Sequence, residues 1–405
     1  VVAATFRGTL AVREFRAIWL AELQSVFGDQ LARIALSVLV FERTNSASLP
    51  ALTYALTYLP DLIAGPLLGG LADRYPRRAV MVTADVMRAV LVALMAIPGT
   101  PLAVLAVLVV LVQLLNAPFT AAQAAILPNV LTDDRYEIGQ SIRQVSGQAG
   151  QLIGFAGGGV VIGLLGAHEA LAVNAVSFAI SALVIRLGVE QRPAAGGTGH
   201  SEQTLVRLKA GVQTIWRDPR LRSLVMLAWL AGFVIVPEGL AVPYAAEIGG
   251  GAVTAGLLLA AHPAGIVIGA SIWSRWVPQD LRLRLAGLLA LFAIVPLLGY
   301  AFRPGLIMTM VLLIISGACA AYQITAAATF MRLVPDSERG QAFGLAGAGL
   351  IAVQGIGLLV GAVLVAVVGS ASLTVTVIAA AGVLFAVPAA FAWRRARLAQ
   401  PLSAS

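Results

Sequence analysis

Asp29 and Arg33 stand four residues apart in an otherwise apolar run, the spacing that sets two side chains on one face of a helix within reach of each other. Glu22 lies two turns earlier on that face. An ionisable group in such a run costs several kcal/mol unless it is paired or hydrated, which makes each one a candidate for function. Two readings are open for Asp29 and Arg33: an ion pair that fixes packing, or a proton-carrying carboxylate held in check by an arginine. Burial and the guanidinium act on the acid in opposite directions. Other groups share this setting. Asp61 follows Pro60, Glu238 follows Pro237, and His262 precedes Pro263. A proline-broken helix with an acid beside the break suits binding of a cation or a proton, and an imidazole changes charge near neutral pH. Asp85 and Arg88, one turn apart, read as a local pair. The chemistry available is therefore reversible protonation. No nucleophile, base and metal constellation marks an enzyme, no ligand spacing marks a metal site, and no cofactor is expected. The single lysine, Lys209, is not in a phosphate-binding G-x-x-x-x-G-K-[ST] loop, so an ion gradient is the expected energy source. The single cysteine, Cys319, lies in an apolar run and reads as a buried small side chain.

The elements that must carry these groups are membrane helices. The chain is 59% hydrophobic and 11% charged, whereas a soluble domain carries roughly a quarter charged residues. Runs of about 20 apolar residues, enough to cross a bilayer, fall near residues 17–41, 49–72, 79–98, 102–126, 139–165, 169–187, 222–246, 253–274, 284–301, 306–330, 341–369 and 373–393. These are spans 1 to 12 of an all-α integral membrane protein. Pro98-Gly99-Thr100-Pro101 and Phe302-Arg303-Pro304-Gly305 mark tight hairpins. Val1 to Leu10 shows no cleavable signal pattern, so the first apolar run is expected to be a retained helix.

Basic residues near span ends stay on the cytoplasmic side. With the amino terminus inside, 23 of the 27 Lys and Arg residues are cytoplasmic; Arg43 and Arg303 lie outside, and Arg33 and Arg88 fall within spans. Both termini are expected in the cytoplasm, and the net charge of +8 reads as a topology signal, not a nucleic-acid footprint.

The chain also repeats itself. Glu137-Ile138-Gly139-Gln140, before span 5, recurs 201 residues later as Glu338-Arg339-Gly340-Gln341, before span 11, and Arg74 maps onto Arg275 at the same offset. Two six-helix halves follow, residues 1–187 and 222–405, related by pseudo-symmetry. The same offset sets Asp61 against His262, an acid and an imidazole at equivalent positions. Between the halves, residues 188–221 are expected to hold a flexible segment, Gln191 to Ser201. An amphipathic helix follows, with Leu205, Leu208, Val212 and Ile215 at helical spacing and Arg207, Lys209 and Arg217 nearby.

After span 2 comes Gly69-Gly70-Leu71-Ala72-Asp73-Arg74-Tyr75-Pro76-Arg77-Arg78. This run resembles G-x-L-A-D-R-x-G-R-R/K, the loop between the second and third helices of major facilitator superfamily (MFS) transporters, with Pro76 in place of the second glycine. The second copy, Gly269 to Arg275, lacks the acid. The resemblance implies a cytoplasmic latch made by Gly69, Asp73, Arg74, Arg77 and Arg78, supported by Asp85 and Arg88, with Asp73 set against the start of span 11 near Gly340. Gly150-Gln151-Leu152-Ile153-Gly154-Phe155-Ala156-Gly157-Gly158 in span 5 resembles the antiporter motif g-x-x-x-G-P-x-x-G-G, with Phe155 at its proline. Its glycines, Gly150, Gly154, Gly157 and Gly158, would let another helix come close.

Together with Gly28-Asp29-Gln30, Phe41 to Ser46 and Trp216-Arg217-Asp218-Pro219, these motifs make the chain similar to the 12-span drug:proton antiporter branch that holds macrolide, Tap-type multidrug and enterobactin exporters. The resemblance implies alternating access about a cavity lined by spans 1, 4, 7 and 10. Gln24, Gln113, Asn116, Phe119, Trp229, Tyr322, Gln323 and Thr325 would face that cavity, and its mixed amide and apolar lining suits amphipathic small molecules. The expected protein is a monomeric, proton-coupled exporter in the bacterial inner membrane, with protons, a small-molecule substrate and the lipid bilayer as its partners. Asp29, Arg33, Glu238, Asp61, His262 and Glu22 are its coupling candidates. A dedicated siderophore or lipid exporter, and a transport-inactive sensor of the same fold, are the alternatives.

Overall fold

The computed structural model describes residues 5–131, 134–193, 211–335 and 338–399. Leu205, Arg207, Leu208, Lys209 and most of the expected flexible segment lie outside them. Among the described residues the secondary structure is helical. Ten helical stretches are long and apolar enough to cross a membrane, so the chain is a multi-pass membrane protein. They correspond to expected spans 1 and 4 to 12. Expected spans 2 and 3 are helical but do not qualify. Span 2 is broken into Ser48–Ala55, Leu59–Leu68 and Leu71–Arg74. Span 3 is Arg77–Met95, a single helix too rich in charge, with Arg77, Arg78, Asp85 and Arg88 along it.

The breaks follow the sequence. Pro60 enters the first turn of Leu59–Leu68, where its missing N–H is no loss. Span 7 runs as Pro219–Trp229, Ala231–Val234, Val236–Gly239 and Ala241–Glu247, because Pro237 and Pro243 remove backbone donors that a continuous helix requires. Span 9 changes from Gln279–Phe292 to a 3-10 helix, Val295–Phe302, at Pro296, and span 10 is divided into Leu306–Ala320 and Tyr322–Leu333. The other spans are unbroken: Arg13–Thr44 (span 1), Leu102–Val130 (4), Asp134–Leu165 (5), Ala167–Gly188 (6), Ala252–Trp276 (8), Arg339–Val368 (11) and Ala371–Ala399 (12). Span 11 stops where Gly369 turns left-handed at φ 74°, a conformation that glycine adopts without steric cost.

The chain divides into two compact units. The first holds residues up to Asn45 and, from Leu56, the rest of spans 2 to 6; the second holds spans 7 to 12 and also Ser46–Ala55. The sequence expectation placed those ten residues in the amino-terminal half. Ser48–Ala55 instead packs on span 11.

In the first unit, span 1 packs on spans 5 and 6, and span 3 on spans 4 and 6. Ile18, Met81, Phe119, Ile126 and Ile185 meet at its centre. In the second unit, spans 8 and 10 touch backbone to backbone, since any Cβ on Gly265, Gly269 or Gly317 would collide with the carbonyls of Ile314, Ala318 and His262 respectively. Span 12 is held at both ends. The Glu247 carboxylate accepts from the backbone N–H groups of Ala371 (2.5 Å) and Ser372 (3.2 Å), a helix cap of the kind worth about 1 kcal/mol. Trp393, fully buried, donates from Nε1 to the Leu283 carbonyl at 2.8 Å. Residues 211–217 are helical, with Ile215 buried and Val212 exposed. The two members of the expected amphipathic stripe that are described thus have opposite environments.

Candidate proton and substrate sites

In the first unit, Asp29 and Arg33 of span 1 line one small cavity of about 30 Å³ together with Thr57, Gln113 and Asn174. That is room for about one water molecule. The Asp29 carboxylate forms no hydrogen bond or ion pair with another described residue. The expected pair is therefore a shared cavity and not a salt bridge: Arg33 points to the Gln30 Oε1 (3.4 Å) and lies over the Tyr58 ring, 5.0 Å from its centre. The Gln113 amide donates to the Thr57 carbonyl, holding spans 2 and 4 at the cavity wall. Nearby, Asp61 has one buried carboxylate oxygen without a hydrogen-bond partner, and Asn116 sits beside it.

Glu22 is occupied elsewhere. Arg143 of span 5 grips it with two bonds, Nε to Oε2 at 2.5 Å and Nη2 to Oε1 at 2.9 Å. Gln123 of span 4 bonds both partners, accepting from Arg143 at 2.9 Å and donating to Glu22 at 3.2 Å. A bidentate arginine–carboxylate pair is strong and directional, so Glu22 joins spans 1, 4 and 5 and is not grouped with Asp29. Arg143 and Gln123 were not expected as partners, although an arginine opening span 5 carried the same signal of a charge in an apolar run.

Asp85 and Arg88 do pair, with Arg88 Nη2 2.8 Å from Asp85 Oδ1 and both side chains fully buried. The contact is ionic without being a well-directed hydrogen bond, since Arg88 Nε and Nη2 and Asp85 Oδ1 have no aligned partner. Three further residues complete the cluster. Ser181 of span 6 donates to Asp85 Oδ2 at 2.6 Å, and the Arg88 guanidinium lies between the rings of Phe119 (4.6 Å) and Phe178 (4.8 Å). An arginine between aromatic faces gains a cation–π attraction that strengthens as water is excluded. Phe119 is thus a wall of this cluster and not a lining of an open cavity.

The loop after span 2 is fastened to its own unit. Arg77 donates to the Ala125 carbonyl at 2.7 Å and Arg78 to the Val189 carbonyl at 3.1 Å, just past the end of span 6, where a helix presents partial negative charge. Arg74 lies over the Tyr75 ring. Asp73 is exposed and its carboxylate makes no hydrogen bond or ion pair among the described residues. Asp85 and Arg88 bond to neither it nor the loop arginines. On the same face of the unit, Arg192 binds Glu14 at 2.7 Å, and that hydrogen bond raises the guanidinium pKa above its ordinary value.

The glycines of span 5 form a seat for span 1. A Cβ on Gly154 would come within 2.9 Å of Gln30, one on Gly150 within 3.0 Å of Leu23, and one on Gly158 within 3.3 Å of Leu31 and Ile34. Gly157 stands beside this face, with the Phe27 ring at ordinary contact distance. The motif therefore fixes how closely the helix carrying Asp29 approaches span 5.

In the second unit, Glu238 accepts a hydrogen bond from the Tyr54 hydroxyl at 2.9 Å, so the acid beside Pro237 is met by the ten-residue segment that precedes Leu56. A tyrosine in an apolar run carries no charge to flag it, and Tyr54 was not anticipated. His262 lies just before the Pro263 bend, its Nε2 buried without a partner. Burial of a polar ring nitrogen without a partner is costly.

Each remaining cavity candidate has its setting within its own unit. Gln24 bonds the Ser177 carbonyl at 2.5 Å and Tyr322 the Leu227 carbonyl at 2.6 Å, each serving as a tie between helices. Gln323 lines a pocket of about 130 Å³ with Leu224, Phe330 and Phe343. Trp229 lines a separate groove between spans 7, 11 and 12. Thr325 accepts from the Thr329 hydroxyl through its carbonyl. These groups sit on the expected spans, but a residue on the right helix serves packing when it points to a neighbouring carbonyl.

Comparison with known proteins places this arrangement. The fold is that of a bacterial homologue of the human lysosomal transporter Spinster, solved inward-facing and occupied (TM-score 0.75, 14% identity, 95% of this chain and 96% of that one). It is equally that of the peptide transporter POT in complex with sulfate (TM-score 0.75, 15% identity, 98% and 97%). In sequence, the chain is 27% identical over 222 residues to the multidrug efflux pump Tap of Mycobacterium tuberculosis, covering 52% of each protein. It is 30% identical over 76 residues to macrolide efflux protein A of Streptococcus pyogenes, covering 19% of each. The chain thus spans about half the length of the Tap relative it matches. The family model of the Major Facilitator Superfamily matches residues 18–242 and 239–404, and the chain belongs to that superfamily of membrane transporters.

Proposed function

We propose that the protein is a proton-coupled exporter of amphipathic small molecules that works by alternating access. The observation that carries this reading is Asp29: a carboxylate in a membrane helix, in a cavity large enough for water, beside an arginine that does not neutralise it by direct contact. Such a group can take and release a proton at little structural cost, unlike Glu22, whose carboxylate is tied down by Arg143. Glu238 is the corresponding acid of the second unit, and Tyr54 gives it a donor whose bond changes when the acid is protonated. Asp61 and His262 are further stations for a proton. The relatives named for multidrug and macrolide efflux favour export. The inner membrane, cytoplasmic termini and a monomer complete the proposal, with the distribution of Lys and Arg as its support.

The test is a proton-movement assay with the full chain in liposomes against cationic, neutral and anionic amphipathic compounds. Substrate-dependent proton movement is expected with amphipathic compounds and not with sugars. Silence across the whole panel would sink the reading and favour a transport-inactive sensor, whereas movement with one metabolite class alone would favour a dedicated exporter.

Asp73 supplies a second test. Its carboxylate has no bond or ring contact among the described residues, whereas the Arg77 and Arg78 side chains are spoken for. It is therefore the group able to change partner during the cycle. Asp73→Asn is expected to bias the transporter toward its inward-facing state, read as faster thiol labelling of cysteines introduced on the cytoplasmic side of the path. Equal labelling rates in the variant and the parent would remove Asp73 from the latch.

A further inference from the structure

The groove at Trp229 belongs to none of the proton groups. It is a cavity of about 480 Å³ between spans 7, 11 and 12, within the ~300–1,000 Å³ range of small-molecule sites. Its walls are apolar, formed by residues such as Phe233, Val360 and Phe385. The side chains at its mouth are exposed, 55% for Ile356 and 63% for Phe385, on helices whose surroundings in a membrane are hydrocarbon. The backbones that frame it are already as close as they can be, since a Cβ on Gly357 would collide with the Gly232 carbonyl. The space is thus not one that the helices could close by moving together.

Trp229 forms part of the wall, its Nε1 buried against Gly349 of span 11 and not open to the groove. One end of the groove is basic. Arg222 lies four residues before Met226, on the same helical face, and its exposed guanidinium makes no hydrogen bond or ion pair among the described residues. Span 12 runs antiparallel beside span 7, with Phe385 stacked on Phe233 at 5.6 Å and Ala389 opposite Met226 and Trp229. Its exposed Arg394 and Arg395 therefore arrive at the same end.

We propose that this groove holds one acyl chain of an anionic diacyl phospholipid, with its phosphate at Arg222. The order of chemistry along the groove, basic and then apolar, is that of such a lipid read from headgroup to tail. Basic pockets between membrane helices recognise anionic headgroups through the same attraction.

The full-length chain in phosphatidylcholine nanodiscs, doped with either phosphatidylglycerol or phosphatidylcholine carrying brominated acyl chains, tests this through quenching of tryptophan fluorescence. The difference between the parent and Trp229→Phe isolates the signal of Trp229. Stronger quenching by the brominated phosphatidylglycerol is expected, together with a preference that Arg222→Gln lowers roughly fivefold and a signal that Ala381→Phe removes by filling the groove. Equal quenching by the two lipids overturns the proposal, as does quenching that survives Ala381→Phe. If a brominated amphipathic amine quenches Trp229 while phosphatidylglycerol does not, the groove takes substrate instead and the lipid assignment falls. Arg222 is exposed, so its replacement reports on binding even where Ala381→Phe fails to fold.

Discussion

Asp29→Asn is expected to lower efflux driven by a pH gradient by roughly a hundredfold, the lower end of what a positioned proton-transfer group contributes. Substrate binding and substrate exchange without a gradient should persist. The reasoning is steric and electrostatic together. The amide matches the carboxylate in size, so the cavity it shares with Thr57, Gln113 and Asn174 keeps its walls. No salt bridge is lost, because Asp29 makes none among the described residues. What disappears is the capacity to be charged in one part of the cycle and neutral in another. The measurement is efflux from inside-out vesicles with and without an imposed gradient, with exchange measured in parallel. Gradient-driven efflux at the parent rate would show that another acid carries the proton, and loss of both activities would show that Asp29 is structural.

The second large effect concerns stability. Asp85→Asn would leave Arg88 charged, fully buried and without a compensating carboxylate in direct contact, where it is now held between Phe119 and Phe178. Breaking a buried pair from one side costs about 3–5 kcal/mol, which corresponds to a fall of order 10 °C in the unfolding midpoint. Replacing both partners with apolar residues, Asp85→Leu with Arg88→Leu, should recover most of the loss, since a buried pair rarely exceeds its own desolvation cost. Thermal unfolding of the purified proteins in detergent distinguishes these outcomes. A single variant as stable as the parent, or a double variant no better than the single, would mean that Arg88 is solvated in the membrane and that the cluster is not the keystone of the first unit.

Which of these features the sequence could reveal depends on the range of the interaction. Apolar length and the Pro and Gly breaks are local, so the run of membrane helices and the interruption at Pro237 were readable directly, whereas span 2, read as one run, is divided. The pairing of Asp85 with Arg88, one turn apart on one helix, was readable for the same reason. Spacing brought Asp29 and Arg33 to one cavity but could not choose the arginine's rotamer, and the Tyr58 ring and Gln30 drew the guanidinium away. The partners from other helices were not readable. Arg143 for Glu22, Phe178 and Ser181 for the buried pair, and Tyr54 for Glu238 are separated from their counterparts by about a hundred residues or more, and only packing determines them. For the cavity candidates the helix was readable, but the carbonyls that Gln24 and Tyr322 bond on other helices were not.

Ser46–Ala55 has a consequence for the ancestry of the molecule. A duplicated gene would leave two copies of the same body, each built from its own length of chain. Here the exchange is one-sided: the first copy's ten residues lie with the second unit, while residues 247–256, their counterparts in the 201-residue repeat, also stay there. The border between the copies in the gene and the border between the bodies in the protein have therefore come apart. The chain passes from one body to the other three times, after Asn45, after Ala55 and once more beyond span 6. A cut in the segment between spans 6 and 7 would leave two of those three covalent crossings intact.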